Sequence, residues 1–260
     1  MDSTRRTFLK IAGACAAGLA VKPATDALAM DLVLPTPKSA APDAAALRAG
    51  KWAMVVDVKK FTEESRQAVA AACRAAHNIP EIPNEKHEIK WIWEEHFENA
   101  FPGQGGEHLP PEVSRTPLMV LCNHCESPAC VRVCPTKATF QRADGIVMMD
   151  YHRCIGCRFC MAGCPYGSRS FNFEDPRKYL ENPDPNYPTR TKGVVEKCNF
   201  CAERLAIGQL PACVEACQNG ELLFGDLEDP SSVVSQALRA NFTIRRKPEL
   251  GTQPKVYYII

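Results

Sequence analysis

The chain has 260 residues, 45% hydrophobic and 23% charged, with a formal net charge of +1. That length allows one large or two small domains, and the near-zero charge removes the electrostatic case for a nucleic-acid binder. Fourteen cysteines and 21 prolines exceed ordinary usage and point to a metal or covalent framework carried on loops rather than a large apolar core.

At the N-terminus, "STRRTFLK" (Ser3–Lys10) precedes the apolar run Ile11–Val21, followed by Lys22-Pro23 and an Ala-x-Ala triplet at Ala27–Ala29. This is the layout of a secretory signal, and the paired Arg5 and Arg6 before Thr-Phe-Leu-Lys give it the form of a twin-arginine (Tat) export signal. The 11 apolar residues are too few to span a bilayer, which needs about 20. Residues 1–29 are expected to be a Tat signal, Cys15 leaving with it. Residues 30–49 are expected to be a linker, and the mature protein periplasmic, with no transmembrane span of its own. Tat export delivers folded proteins, which suits a cofactor inserted before export.

Trp52–Val58 ("WAMVVDV") reads as a strand. Thr62, followed by Glu63, Glu64 and Ser65, reads as the N-cap of a helix whose good formers run from Gln67 to Ala76. Cys73 sits in that helix, and the next cysteine is Cys122. The stretch His87–Gln104 carries Trp91, Trp93 and Phe97 beside Glu94, Glu95 and His96. It is either a docking surface or an amphipathic segment packed on the core.

Twelve cysteines then fall into three groups. Group one is Cys122, Cys125, Cys130 and Cys134, followed by Pro135; group two is Cys154, Cys157, Cys160 and Cys164, followed by Pro165; group three is Cys198, Cys201, Cys213 and Cys217. Group two has the bacterial ferredoxin spacing C-x2-C-x2-C-x3-C-P. Three thiolates on a tight loop cover three irons of one cubane, and the fourth, a helical turn later, faces the neighbouring cluster. Proline then ends the turn. Groups one and two are therefore expected to exchange their fourth cysteines. Cys122, Cys125, Cys130 and Cys164 would hold one [4Fe-4S] cluster, and Cys154, Cys157, Cys160 and Cys134 a second. Structural zinc needs only two distant C-x2-C pairs, and cysteines three apart in sets of four make poor disulfide partners. Group three alone could hold zinc; beside the other two it reads as iron–sulfur.

Between groups one and two, Asp144-Gly145 marks a hairpin turn. His77, His124 and His152 lie near cysteines, but the thiol supply is complete, so they read as hydrogen-bonding or solvated groups. Glu174–Gly193 is proline-rich and polar and reads as a long surface connection. The terminal "KVYYII" is either a strand on the core or a contact with a partner. No phosphate-binding loop, Ser/His/Asp set or paired-carboxylate site stands out, so no catalytic residue is assigned.

The run from Cys122 to Gly167, "CNHCESPACVRVCPTKATFQRADGIVMMDYHRCIGCRFCMAGCPYG", strongly resembles the four-cluster polyferredoxin subunits of periplasmic oxidoreductases, which serve dimethyl sulfoxide, polysulfide and nitrite reduction. The likeness covers roughly residues 51–230. It implies an α+β fold of two fused, interleaved ferredoxin-like modules, one over 117–174 and the other from 50–80 and 194–227, with 231–260 as a C-terminal extension. It also implies electron carriage between a membrane quinone-reactive subunit and a catalytic or cytochrome partner. Such subunits have a further cysteine group near the mature N-terminus, ending in "NIP" or "NVP". Here "KKFTEESRQAVAAA" stands where three cysteines belong, and only the fourth survives, in "CRAAHNIP" (Cys73–Pro80).

In the interleaved scheme one cluster is then lost and three are kept. The third would be held by Cys198, Cys201, Cys213 and Cys73, with Cys217 the rival to Cys73. Gln218 follows Cys217 where the family has proline. The degenerate first group, the His87–Gln104 insertion and the export signal together resemble the DsrO-type subunits of DsrMKJOP complexes in sulfur metabolism. Their implied partners are an NrfD-like membrane subunit (DsrP-like) and a multiheme cytochrome c (DsrJ-like). The alternative is the electron-transfer small subunit of a molybdopterin reductase or hydrogenase.

Overall fold

The computed structural model describes residues 43–104 and 110–260. The expected export signal, with Cys15, and residues 30–42 of the expected linker lie outside the described residues. Helices and small sheets alternate in an α+β arrangement.

The first strand, β1 (Trp52–Asp57), is apolar on both faces and buried from Trp52 to Val56. Because side chains alternate along a strand, Trp52, Met54 and Val56 enter the main core while Ala53 and Val55 meet Val234 and Ile259 on the other side. Next comes α1 (Glu63–His77). The Thr62 hydroxyl accepts from the Ser65 N–H at 3.2 Å and the Ser65 hydroxyl accepts from the Thr62 N–H at 2.9 Å, a reciprocal cap with serine in the usual Glu position. Asn78, left-handed at φ 51°, closes the helix.

The His87–Gln104 insertion forms β2 (Ile92–His96) and a short turn, α2 (Phe97–Ala100). Of the two readings open for it, packing prevails at its large residues: Trp91, Phe97 and Phe101 are buried. A further turn, α3 (Pro111–Arg115), leads to β3 (Pro117–Leu121), which pairs antiparallel with β2. Two cysteine-bearing turns follow, α4 (Ala129–Arg132) and α5 (Phe159–Ala162), with the antiparallel hairpin β4 (Thr139–Gln141) and β5 (Val147–Met149) between them. Gly145 takes φ 81° in the connecting turn, which glycine permits.

A two-residue ladder, β6 (Ser170–Phe171) with β7 (Val195–Glu196), brackets the proline-rich connection. That connection is less superficial than its polar sequence implies. Tyr187 and Arg190 are buried, and Asn78 pins the segment by donating to the Asp184 and Tyr187 carbonyls and accepting the Asp184 N–H.

Group three occupies α6 (Ala202–Leu205) and α7 (Ala212–Glu215), followed by β8 (Leu222–Asp226). The last 30 residues supply α8 (Val233–Ala240), β9 (Thr243–Ile244) and β10 (Val256–Ile259). The terminal apolar run is thus an inner strand: β10 lies parallel to β1, with Met54 opposite Val256, and the sheet order is β8-β1-β10-β9. Helix α1 packs on α7, and α4 packs on α5. These two contacts bring the cysteine-bearing segments together.

Candidate metal centres

The three C-x2-C loops share one backbone device. The residue just before the second cysteine is left-handed in each: His124 (φ 41°), Gly156 (φ 70°) and Phe200 (φ 54°). Non-glycine residues rarely hold that conformation, and it turns successive thiols and N–H groups inward. A second repeat follows each group's last cysteine, three residues on: Lys137 (φ 54°), Gly167 (φ 67°) and Gly220 (φ 70°). Cys73 lacks this exit because α1 continues through it to His77.

Groups one and two meet where α4 crosses α5. Gly163, directly before Cys164, lies so close to Val133, directly before Cys134, that a Cβ there would stand 3.1 Å from a Val133 methyl. The crossing carries Cys164 to group one: Cys122, Cys125, Cys130 and Cys164 line one cavity with Val147, Tyr166, Arg169 and Thr252. Burial, then the neighbouring Cys122, pushes the Cys125 thiol up to about 12, with Cys130 and Cys164 adding to it.

In group two, burial raises the Cys160 thiol, opposed by Arg169, with Cys130 and Cys154 beside it. Cys157 is exposed. Burial pushes Cys134 up too, but the Thr139, Ala138 and Thr136 N–H groups and the Thr136 hydroxyl aim at its sulfur and bring it below its ordinary value.

At the third centre α1 lies over α7, and Cys73 is 5% exposed. Burial holds its thiol well above the ordinary value, and the charges next to it are Cys213, Cys198 and Cys201. The Phe200 and Ala212 N–H groups donate to the sulfurs of Cys198 at 3.5 Å and Cys201 at 3.4 Å. Cys217 lies next to Cys213 but has surroundings of its own. It is half-buried, its thiol donates to the Cys213 carbonyl at 3.3 Å, and burial, with the Glu221 carboxylate adding, moves it to about 11.

The cysteine groups adjoin one another. Cys130 of the first interacts with Cys160 of the second, and Cys122 of the first with Cys198 of the third. In the gap toward the third set, His124 stacks on Phe200 with ring centroids 3.7 Å apart. Burial and the nearby Lys197 hold His124 neutral, and its Nδ1 accepts the Val147 N–H. His77 donates through Nδ1 to the Cys73 carbonyl at 3.0 Å, and its Nε2 lies 2.8 Å from a Glu203 carboxylate oxygen. His152 is exposed.

The spacing of the thiols bears on what they hold. A single zinc ion with bonds of about 2.3 Å draws its sulfurs to within about 3.8 Å of one another. Among the described residues, the group of three or more potential ligand atoms that closes to within 4.8 Å is His77, Cys201 and Glu203, and no three thiols do. A cubane asks less closeness of its thiolates, because each binds a different iron. All thirteen described cysteines are free thiols.

Residues 116–178 and 184–227 match the family described as "4Fe-4S dicluster domain", segments that carry groups one to three and exclude Cys73. The chain is 40% identical to the "Hdr-like menaquinol oxidoreductase iron-sulfur subunit 1" of Archaeoglobus fulgidus, over 98% of this chain and 97% of that protein. The chain belongs to the 4Fe-4S dicluster family of iron–sulfur subunits. Other family members include the menaquinone reductase iron–sulfur cluster-binding subunit of Nitratidesulfovibrio vulgaris (35% identical; 80% of this chain, 88% of the other). The B subunit of polysulfide reductase from Wolinella succinogenes is 36% identical, over 74% of this chain and 86% of its own length. Among the described residues no helix is long and apolar enough to cross a membrane.

The cysteine spacing does not reveal three parts of this family member's site. They are Arg169 against Cys130, the His77–Glu203 link, and the left-handed residue before each second cysteine. The last could have been found by aligning the three groups on one another, since Gly156 marks the position in group two. The other two come from chain segments too distant for any local pattern.

Proposed function

We infer that this chain is an electron-transfer subunit of a membrane-associated oxidoreductase complex, relaying single electrons by means of three [4Fe-4S] clusters. The observation that carries this reading is the grouping of the thiols: Cys122, Cys125, Cys130 and Cys164 line one cavity, and Cys73 lies beside Cys198, Cys201 and Cys213. Twelve cysteines hold the clusters: Cys122, Cys125, Cys130 and Cys164; Cys154, Cys157, Cys160 and Cys134; and Cys198, Cys201, Cys213 and Cys73. When bound, each cluster supplies a one-electron couple whose potential the protein sets by burial and by hydrogen bonds to sulfur. The chain excludes water from the third set, whose four cysteines are buried, and leaves the second set accessible at Cys157.

The partners in this reading are an NrfD-like, DsrP-like membrane subunit that interacts with quinone and a multiheme, DsrJ-like cytochrome c. The setting is the periplasmic face of a DsrMKJOP-type complex, reached by Tat export. The N-terminal sequence and the Archaeoglobus relative, named for menaquinol oxidation, support it. Purification through a tag on this chain tests it. About twelve irons per chain, with c-type haem and a membrane subunit in the same complex, is the expected result; about sixteen irons or a colourless protein overturns it. Replacing Arg5 and Arg6 by lysine should leave the chain in the cytoplasmic fraction.

A second reading, favoured by the polysulfide reductase relative, makes the chain the small subunit of a molybdopterin reductase or hydrogenase. Co-purification of such a large subunit without c-type haem decides for it.

A further inference from the structure

Arg169 follows Cys164 by five residues and is 5% exposed. Its Nη2 donates to the Cys130 sulfur at 2.9 Å and to the Thr139 hydroxyl at 2.8 Å, and Nη1 reaches the Met149 sulfur at 3.9 Å. Its charge also acts on Cys160. Cys130 belongs to the first thiol set and Cys160 to the second, so one guanidinium bonds the first and acts through its charge on the second.

Its charge has no carboxylate to meet it. Among the described residues no Asp or Glu lies within ion-pair distance of Arg169, whereas the equally buried Arg190 pairs with Glu196 at 2.7 Å. A buried cation without a counter-charge is costly, and arginine does not shed its proton. The negative charge that compensates Arg169 must therefore come from the sulfurs themselves. The third set carries both signs. The Glu203 carboxylate lies beside Cys73 and Cys201, and the buried Lys197 ammonium beside Cys198.

We propose that Arg169 is a shared potential-setting cation that makes the clusters of the first and second cysteine sets easier to reduce than they would be without it. The proposal rests on the cluster assignments above. Each reduction adds one electron, and hence one negative charge, to the sulfur-bound iron. A fixed cation in hydrogen-bond contact stabilises that added charge. No proton moves, since the guanidinium stays charged throughout, so the two potentials are set without a pH dependence from Arg169.

The test is a redox titration followed by EPR on the full chain, with iron content measured on the same samples. Arg169→Gln should keep about twelve irons. It should lower the equilibrium constant for reducing two clusters by about tenfold, which is 59 mV for a one-electron couple, and leave the third within about twofold. Arg169→Lys keeps the charge but not the fork, and should shift the same two clusters in the same direction by less. It decides the matter if the glutamine variant loses iron. Unchanged potentials in an iron-replete variant, or an equal shift of all three clusters, overturn the proposal. A wild-type chain with other than about twelve irons instead overturns the cluster assignment.

Discussion

Cys73 and His77 lie one turn apart on α1, with the His77 Nδ1 nitrogen 3.0 Å from the Cys73 carbonyl oxygen and 3.8 Å from its sulfur. His77 also reaches Glu203, two residues beyond Cys201. Helix α1 is thereby fastened to the third thiol set at the point where Cys73 enters it. Cys217 faces Glu221 instead. In Cys73→Ala the iron content should fall from about twelve to about eight per chain, while Cys217→Ala should keep about twelve. Iron and sulfide analysis of the two variants decides between the thiols. Loss of the third cluster in Cys217→Ala alone would reverse the assignment.

How far the sequence carries is visible at particular residues. The cysteine sets are legible because their spacing is itself the geometry, and the α1 cap is legible because Thr62 and Ser65 act within four residues. The inner position of β10 is not legible. Its partner β1 lies about 200 residues earlier in the chain, and a parallel pair leaves no turn between its strands to read. Arg190 illustrates the converse. In a polar, proline-rich stretch it looks solvent-exposed, yet it is buried against Glu196, Trp91 and the His77 and Asn78 carbonyls. A cation's burial is set by the distant segments that close over it, and no local pattern records them.

That Arg190–Glu196 pair yields the second prediction. Both side chains are 0% exposed. Glu196 also accepts from the Trp91 indole at 3.1 Å and from Asn172 at 2.6 Å. Glu196→Ala leaves a buried guanidinium and two donors unmatched, so stability should fall by about 3–5 kcal/mol. Replacing both partners by apolar residues should recover most of that loss. Chemical denaturation of the single and double variants measures it, and equal losses in the two would refute the argument.

The α1 cap gives a milder effect. Thr62→Ala removes one acceptor of the reciprocal cap and should cost about 1 kcal/mol. A thermal unfolding scan should show a drop of about 2–4 °C. The third cluster should be retained, because Cys73 lies three turns away and α1 stays packed on α7.

The crossing of α4 and α5 gives the most specific test of how the first two cysteine sets are held. In Gly163→Ala the new methyl stands 3.1 Å from Val133 Cγ2 and 3.3 Å from the Phe159 carbonyl oxygen. The two turns must separate slightly, at a cost of about 1–3 kcal/mol. The strain falls beside Cys134 and Cys164, the two cysteines that the proposed assignment exchanges between sets, so an iron chelator should strip irons from the first two sets faster than from the wild type, with the third set unaffected. Val133→Ala removes the clashing methyl. Val133 is 40% exposed, so that change alone should cost little, and the two substitutions together should restore slow iron loss. Such a double-mutant cycle isolates the contact. If the double variant loses iron as fast as Gly163→Ala, the Phe159 carbonyl rather than Val133 sets the limit at the crossing.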